Sequence, residues 1–175
     1  MPILALATFL CVSNHEDWRA EVEWHGIDFH HVPVTPETKT ESEEFVLNLM
    51  NQTGAEALIL ARYMQILSDD MCRTLRGRAI NIHHSLLPSF KGARPYDQAH
   101  DRGVKVIGAT AHYVTAALDE GPIIEQDLRR VDHRFSAAEL AALGQDLEAR
   151  ALASAVKAHA ENRVLLNGIK TVVFD

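Results

Sequence analysis

The amino-acid sequence predicts an α/β fold in which a mostly parallel, Rossmann-like sheet is flanked by helices. Apolar, β-branched runs alternate with helical patterns over the first hundred of the 175 residues. A long amphipathic helical pattern follows later, and the chain closes on a pattern typical of a hairpin around Asn167-Gly168. The composition, 47% apolar and 23% charged residues, is that of an ordinary globular domain.

The first half of the chain predicts four strands, at residues 3–13, 27–34, 56–62 and 78–84. Helices are predicted between them at 13–26, 35–54 and 68–77. Ser13 or Asn14 is expected to cap the first helix, and Ser68 the third, because short oxygen-bearing side chains satisfy free N–H groups there. The apolar start is interpreted as a strand rather than a signal peptide, because no basic region precedes it.

The second half begins with a proline-containing loop at 85–96, which leads into a short helix at 96–103. Strands are predicted at 105–115 and 123–131, the second half-exposed because its apolar and polar residues alternate. A helix over 135–163 begins with the pair Ser136 and Glu139, which matches a capping box. The closing hairpin is predicted over residues 163–174.

Several functional classes are disfavoured. The net charge of −7 provides no basic face for nucleic acid. No apolar run reaches the roughly 18 residues of a membrane span. Neither a phosphate-binding glycine motif nor a metal-binding spacing of His and Cys occurs, so we expect no metal. Cys11 and Cys72 are far apart in the sequence and are expected to be buried thiols in a reducing cytoplasm.

Polar residues at the end of the fourth predicted strand indicate chemistry at a carbonyl-like carbon. Asn81 and His83 lie two positions apart, so on a strand they share one face. An imidazole can carry a proton near neutral pH, a carboxylate such as Asp119 can orient it, and an amide can donate to an oxyanion. The spacing alone leaves other interpretations open: a strand-end turn for Asn81 and His83, and a turn residue for Asp119. For His112 a packed histidine with a backbone partner is favoured over direct catalysis.

Four segments resemble the formyltransferase family that uses 10-formyltetrahydrofolate. They are ARYMQILS at 61–68, INIHHSLLPSFKGARPY at 80–96, GVKVIGATAHYVTAALDEGPIIEQD at 103–127 and NGIKTVVF at 167–174. Within that family the chain looks like the formyltetrahydrofolate deformylases, which release formate for purine biosynthesis and one-carbon balance. The resemblance extends from about Val12 to Phe174.

The resemblance implies specific roles for residues of this chain. The family's catalytic asparagine, histidine and aspartate match Asn81, His83 and Asp119. Its folate-binding positions match Met64, Gln65, Ile66, Leu67, His84, His112 and Val114. The resemblance further implies a folate substrate and no separate cofactor. The two cysteines are the reason to expect a cytoplasmic enzyme. A homo-oligomer is expected because loss of the usual first strand would leave a sheet edge exposed.

His84 is the residue that points to hydrolysis. The related formyltransferases acting on amines usually have proline after the catalytic histidine, whereas deformylases resemble this chain with HHS. On strand geometry, His84 is expected to face away from His83. Formyl transfer to an amine acceptor, or an inactive folate-binding remnant, are the alternative functions.

The beginning of the chain departs from the family pattern. Deformylases usually carry an N-terminal regulatory ACT domain, and their catalytic domain usually begins with a further strand and helix. Here Met1 leads almost directly into VSNHED at 12–17, which resembles the end of the second strand. We therefore expect residues 1–175 to be a single formyltransferase-like domain that is incomplete at its N-terminus.

Overall fold

A computed structural model describes residues 9–88 and 94–175. The chain divides into two compact units, residues 1–56 and 57–175. The first unit contains β1 (Leu10–Ser13), α1 (Arg19–Trp24), β2 (Asp28–His31) and α2 (Lys39–Thr53). β1 and β2 pair in parallel with Leu10 opposite Asp28, as expected for two strands joined through a helix.

The beginning of α1 differs from the prediction. Trp18 occupies the N-cap position without a side-chain hydrogen bond. Ser13 lies in β1, and the side chain of Asn14 pairs with the ring of His15, so neither residue caps the helix. The predicted stop is confirmed, because Gly26 has φ of 74°, which glycine adopts without strain. The part of the predicted first strand before residue 9 lies outside the described residues.

The second unit contains the remaining elements. They are β3 (Leu58–Leu60), α3 (Asp69–Thr74), β4 (Ala79–His83), α4 (Pro95–Asp101), β5 (Val106–Tyr113), β6 (Ile123–Arg130), α5 (Ala137–Ala160), β7 (Val164–Asn167) and β8 (Lys170–Val173). Four strands form one sheet in the order β3-β4-β5-β6, and β7 and β8 form the predicted hairpin. Between Pro88 and Arg94 the predicted loop lies outside the described residues.

The directions of the strands refine the predicted topology. The α/β class is confirmed, and β3 and β4 are parallel as the alternating pattern indicated. β5 runs antiparallel to β4, and β6 antiparallel to β5, so the sheet is mixed. The β5–β6 connection spans only residues 114–122, which is shorter than a parallel crossover requires.

Helix α5 packs on the sheet of the second unit through small residues. Ala109 and Ala111 of β5 are fully buried, as is Ala155 of α5. Ala111 and Ala155 share a core cluster with Ile80 of β4. Small side chains on both elements allow the helix to approach the sheet closely, and the dense packing limits movement of β4 and β5.

Two predicted helix caps are confirmed in the same unit. The Ser136 N–H donates to Glu139 Oε2 at 2.8 Å, and the Glu139 N–H donates to Ser136 Oγ, which completes the capping box of α5. The Met71 N–H donates to Ser68 Oγ at the start of α3. Among the helices described, none combines the length and apolarity needed to cross a bilayer.

Candidate active site

Strand pairing in the second unit brings the predicted catalytic residues together. Asn81 and His83 lie on β4, and they pair with His112 and Thr110 of β5 respectively. Asp119 lies in the turn between β5 and β6, and its carboxylate reaches both histidines. Its Oδ2 is 3.3 Å from His83 Nδ1, and its Oδ1 is 3.8 Å from His112 Nε2. His83 and Asp119, which are far apart in the sequence, are therefore brought together by the fold.

The contact with Asp119 determines which nitrogen of His83 is basic. An ionised carboxylate only accepts hydrogen bonds, so the neutral His83 ring carries its proton on Nδ1, facing Asp119. The lone pair then lies on Nε2. This nitrogen is buried and has no hydrogen-bond partner among the residues that the structure describes. A buried nitrogen of this kind is available to take a proton from a bound ligand.

His112 has a different role, which its hydrogen bonds define. Its Nδ1 donates to the carbonyl of Tyr113 at 2.9 Å, so the Nε2 of the neutral ring is an acceptor. Asn81 Nδ2 donates to that Nε2 at 3.3 Å. An amide group has two N–H donors, and this bond uses one of them. His112 therefore orients Asn81, which matches the backbone-bonded, packed histidine favoured from the sequence.

Burial favours the neutral form of both histidines. Burial lowers the pKa of His83 below its ordinary value, and the Asp119 carboxylate offsets this only in part. His84 and His112 lower the His83 pKa further through charge repulsion. Burial is also the main cause of the lowered pKa of His112. A neutral His83 is the form that can act as a base near neutral pH.

The turn that carries Asp119 depends on a glycine that the sequence reasoning did not single out. Asp119 has φ of 56°, a left-handed conformation that aspartate tolerates better than most residues. A Cβ atom at Gly121 would overlap the carbonyl oxygen of Tyr113. That oxygen is the acceptor for His112, and the Tyr113 N–H donates to the carbonyl of Pro122 at 2.9 Å. Only glycine permits this approach.

Thr110, which the sequence did not indicate as important, holds the segment after His84. Thr110 is fully buried, and its hydroxyl donates to the carbonyl of Ser85 at 2.7 Å. The same oxygen accepts from the Leu87 N–H and from Gln126 Nε2, each at 3.0 Å. Gln126 also donates to the Leu87 carbonyl. A polar pair at opposite positions of β5 and β6 was the signal in the sequence, but only the register shows what it binds.

The predicted folate-binding loop follows β3. Because β3 is parallel to β4, with Leu60 opposite Asn81, Met64 to Leu67 leave the sheet at the edge where His83 lies. Met64 is 79% exposed and Ile66 57% exposed, whereas Leu67 is buried. Val114, which directly follows β5, is another predicted folate-binding residue, and its N–H donates to the carbonyl of Ala79 at the beginning of β4. That N–H therefore already has a partner within the protein.

The predicted orientation of His84 is wrong. β4 ends at His83, so His84 is no longer subject to the alternation of strand side chains. Its ring stacks on that of His83, with centroids 4.9 Å apart and planes inclined by 21°. Within residues 9–88 and 94–175, no three His, Cys, Asp or Glu side chains converge to hold a metal ion.

Comparison with known proteins relates the chain to one family. The family model described as formyl transferase matches residues 7–156. A formyltetrahydrofolate deformylase of Corynebacterium sp. (strain P-1) is 57% identical over 161 residues, which are 92% of this chain and 56% of that protein. The chain thus spans about half the length of the curated relatives it matches.

Solved structures show the same relationship. A formyltetrahydrofolate deformylase from Burkholderia mallei superposes with a TM-score of 0.90 at 56% identity, covering 95% of this chain and 59% of that one. Glycinamide ribonucleotide transformylase 1 from Symbiobacterium toebii superposes with a TM-score of 0.85 at 30% identity. This match covers 95% of the present chain and 80% of the transformylase.

Proposed function

Because the chain belongs to the formyl transferase family, we propose that it hydrolyses 10-formyltetrahydrofolate to formate and tetrahydrofolate. The observation that carries the proposal is the buried Nε2 of His83, which has no hydrogen-bond partner in the described part of the chain and is held in its basic form by Asp119. The identity of 50–57% to proteins named formyltetrahydrofolate deformylase supports the hydrolytic reaction. The proposal treats residues 1–175 as one catalytic domain.

The proposed reaction is addition of water to the formyl carbon, followed by loss of the folate nitrogen. His83 Nε2 takes a proton from the attacking water while a new C–O bond forms. Asn81 uses its second N–H to donate to the oxygen that becomes negative, a contribution of about 2.7–4 kcal/mol for one such donor. The protonated His83 then returns its proton to N10 as the C–N bond breaks. These steps use side chains alone, without a cofactor or metal.

The folate is expected to lie against the loop after β3 and the segment that leads to Asp119. Both segments carry exposed apolar side chains, Met64 and Ile66 on the first and Leu118 on the second, which supports this placement because ligand sites are largely apolar. Gln65, Leu67, His84, His112 and Val114 remain proposed contacts of the substrate region.

The reaction is tested by formate release from 10-formyltetrahydrofolate, with a full-length deformylase as positive control. Formyl transfer to an amine is the second candidate, favoured by the 30% identity to a glycinamide ribonucleotide transformylase. Adding glycinamide ribonucleotide distinguishes the two, because a transferase then forms formylated product and little formate. No turnover with retained folate binding would indicate an inactive folate-binding protein.

Asp119→Asn tests the catalytic assignment. The amide would donate to His83 Nδ1, which moves the ring proton to Nε2 and removes the base. We expect kcat to fall about 10²–10⁴-fold, with a much smaller change in folate affinity. Asp101→Asn is the matched control, because it alters a similar contact, 3.4 Å from His100 Nδ1, on the surface. Near-normal turnover of Asp119→Asn would show that the assignment is wrong.

A homo-oligomer in the cytoplasm is part of the same proposal. The β7–β8 hairpin exposes six apolar side chains, a surface that supports self-association: Leu165, Leu166, Ile169, Val172, Val173 and Phe174. Cys72 is buried as predicted and Cys11 is half-buried, and no disulfide joins them, which suits a reducing compartment. Sedimentation velocity of the purified chain measures the oligomeric state, and a monomer across the concentration range would contradict this expectation.

A further inference from the structure

Gln126 lies in the same row of the sheet as His83. Thr110 of β5 pairs with His83 of β4 on one side and with Gln126 of β6 on the other. Directly opposed residues of antiparallel strands point to the same face of the sheet, so these three side chains lie side by side. Gln126 is exposed overall, yet its amide nitrogen lies 3.0 Å from Thr110 Oγ1 and 3.2 Å from the Leu87 carbonyl oxygen.

The carbonyl groups of this cluster fix its donors and acceptors. A backbone carbonyl can only accept, so the Thr110 hydroxyl gives its hydrogen to Ser85, and the Gln126 amide presents its nitrogen to Leu87. Thr110 Oγ1 then accepts the second N–H of Gln126 as well as the Leu87 N–H. Both N–H groups of the Gln126 amide are therefore used, and residues 85–87 are anchored through their backbone.

The ring of His84 stacks on that of His83 without being held there by strand geometry. His84 follows the last residue of β4, so the alternation of the strand does not orient its side chain. The two ring centroids are 4.9 Å apart. On another side His84 borders a cavity of about 100 Å³, which Tyr96 and Ala99 of α4 also line. This open space leaves the ring room to move, so the stack depends on how the following residues are anchored.

We propose that Gln126 is a positioning residue for His83: its amide fixes residues 85–87, which keeps the His84 ring stacked on His83 and so fixes the plane of the His83 ring. The contact of Asp119 with one ring nitrogen leaves His83 free to tilt, and the stacked face limits that tilt. A misplacement of about 1 Å in a catalytic group can cost about 10²-fold in rate, so a distant anchor can control turnover. The inference rests on the proposed function only in taking His83 as the base.

NMR signals of the His83 ring, assigned from their loss in His83→Gln, test the inference without requiring turnover. A stacked aromatic ring shifts the signals of its neighbour through its ring current, so loss of the stack moves them toward those of an isolated histidine. We expect this movement in Gln126→Met, which keeps the length of the side chain, and in Gln126→Glu, because neither side chain can donate. Arg130→Met is the matched control, since it alters another exposed residue on the same face of β6. Unchanged His83 signals in Gln126→Met, or an equal movement in Arg130→Met, would overturn the inference.

Kinetics separate positioning from a purely structural role. If the chain releases formate, kcat should fall roughly 10–100-fold in both Gln126 variants, with a much smaller change in KM and no change in Arg130→Met. Rates are compared well below the unfolding midpoint of each variant, so that lost stability does not enter. Normal kcat in a folded Gln126→Met would contradict the inference even if that variant is less stable. Absence of formate release from the unaltered chain, with the expected NMR shifts, would refute the reaction but retain the inference.

Discussion

Replacing Thr110 by valine tests how strongly β5 holds the segment that follows the catalytic histidine. The hydroxyl of Thr110 makes one hydrogen bond as donor, to the Ser85 carbonyl, and two as acceptor, from the Leu87 N–H and Gln126 Nε2. Valine has the same shape, so the substitution creates almost no cavity, and the effect reports the polar contacts. Ser85 and Leu87 are both buried, so water cannot replace the lost partner.

The expected loss of stability follows from these contacts. A typical hydrogen bond contributes about 0.5–1.5 kcal/mol net, and a buried group left unpaired costs about 1–3 kcal/mol. Gln126 keeps its bond to the Leu87 carbonyl, so its amide remains partly satisfied. We therefore expect the free energy of unfolding to decrease by about 2–4 kcal/mol in Thr110→Val. Thr110→Ser keeps the hydroxyl and should lose only about 1 kcal/mol, for the buried methyl group.

Urea unfolding followed by far-UV circular dichroism measures the change. Tryptophan fluorescence is unsuitable, because Trp18 and Trp24 both lie in the first unit. Hydrogen exchange at Leu87 provides a direct readout, since its N–H loses its acceptor in Thr110→Val. Thr74→Val is the matched control: that exposed hydroxyl donates only to the Asp70 carbonyl within α3, and its loss should change stability by less than about 0.5 kcal/mol. Equal stability of Thr110→Val and Thr74→Val would refute the reasoning.

Two other predictions concern the site. Gly121→Ala should decrease the free energy of unfolding by about 1–3 kcal/mol and reduce formate release, because the added Cβ displaces the Tyr113 carbonyl that holds His112. Urea unfolding and formate release measure these effects. A variant with the stability and turnover of the unaltered chain would contradict the prediction. Stability should also decrease as the pH falls below about 6.5, because burial lowers the folded-state pKa of His83 and His112 and the unfolded chain then binds more protons. The contribution of each histidine is at most about 1.4 kcal/mol per pH unit. Urea unfolding between pH 7.5 and 5 measures this contribution. The free energy of unfolding of His83→Gln should depend less steeply on pH than that of the unaltered chain. An equal pH dependence would contradict a lowered pKa of His83 in the folded state.

Local signals predicted much of the secondary structure correctly. The Ser68 cap of α3 and the capping box of α5 were predictable because a capping bond joins residues only three positions apart. The hairpin around Asn167-Gly168 is local in the same sense. The cap of α1 was predicted wrongly, because β1 extends to Ser13 and the helix begins only at Arg19. A capping residue identifies a helix start only when the neighbouring strand does not use it.

Strand direction could not be predicted with the same success. Residues 84–105 between β4 and β5 contain α4 and are long enough for a parallel crossover, yet the two strands pair antiparallel. The alternating pattern is the same for both outcomes, so it does not determine the direction of β5. The antiparallel register is nevertheless what sets Asn81 opposite His112.

The sequence by itself determined the α/β class, the positions of most elements and the same-face placement of Asn81 and His83, because these depend on the periodicity of neighbouring residues. Its resemblance to the formyltransferase family indicated Asp119 as the third catalytic residue. Only the tertiary structure decided that Asp119 approaches His83, that Gly121 and Thr110 support the site, and that His84 stacks on His83 beside a cavity. The approach of Asp119 to His83 and the hydrogen bonds of Thr110 join residues far apart in the chain, so they depend on strand register. The stacking of His84 on its neighbour His83 depends on how the chain leaves the end of β4.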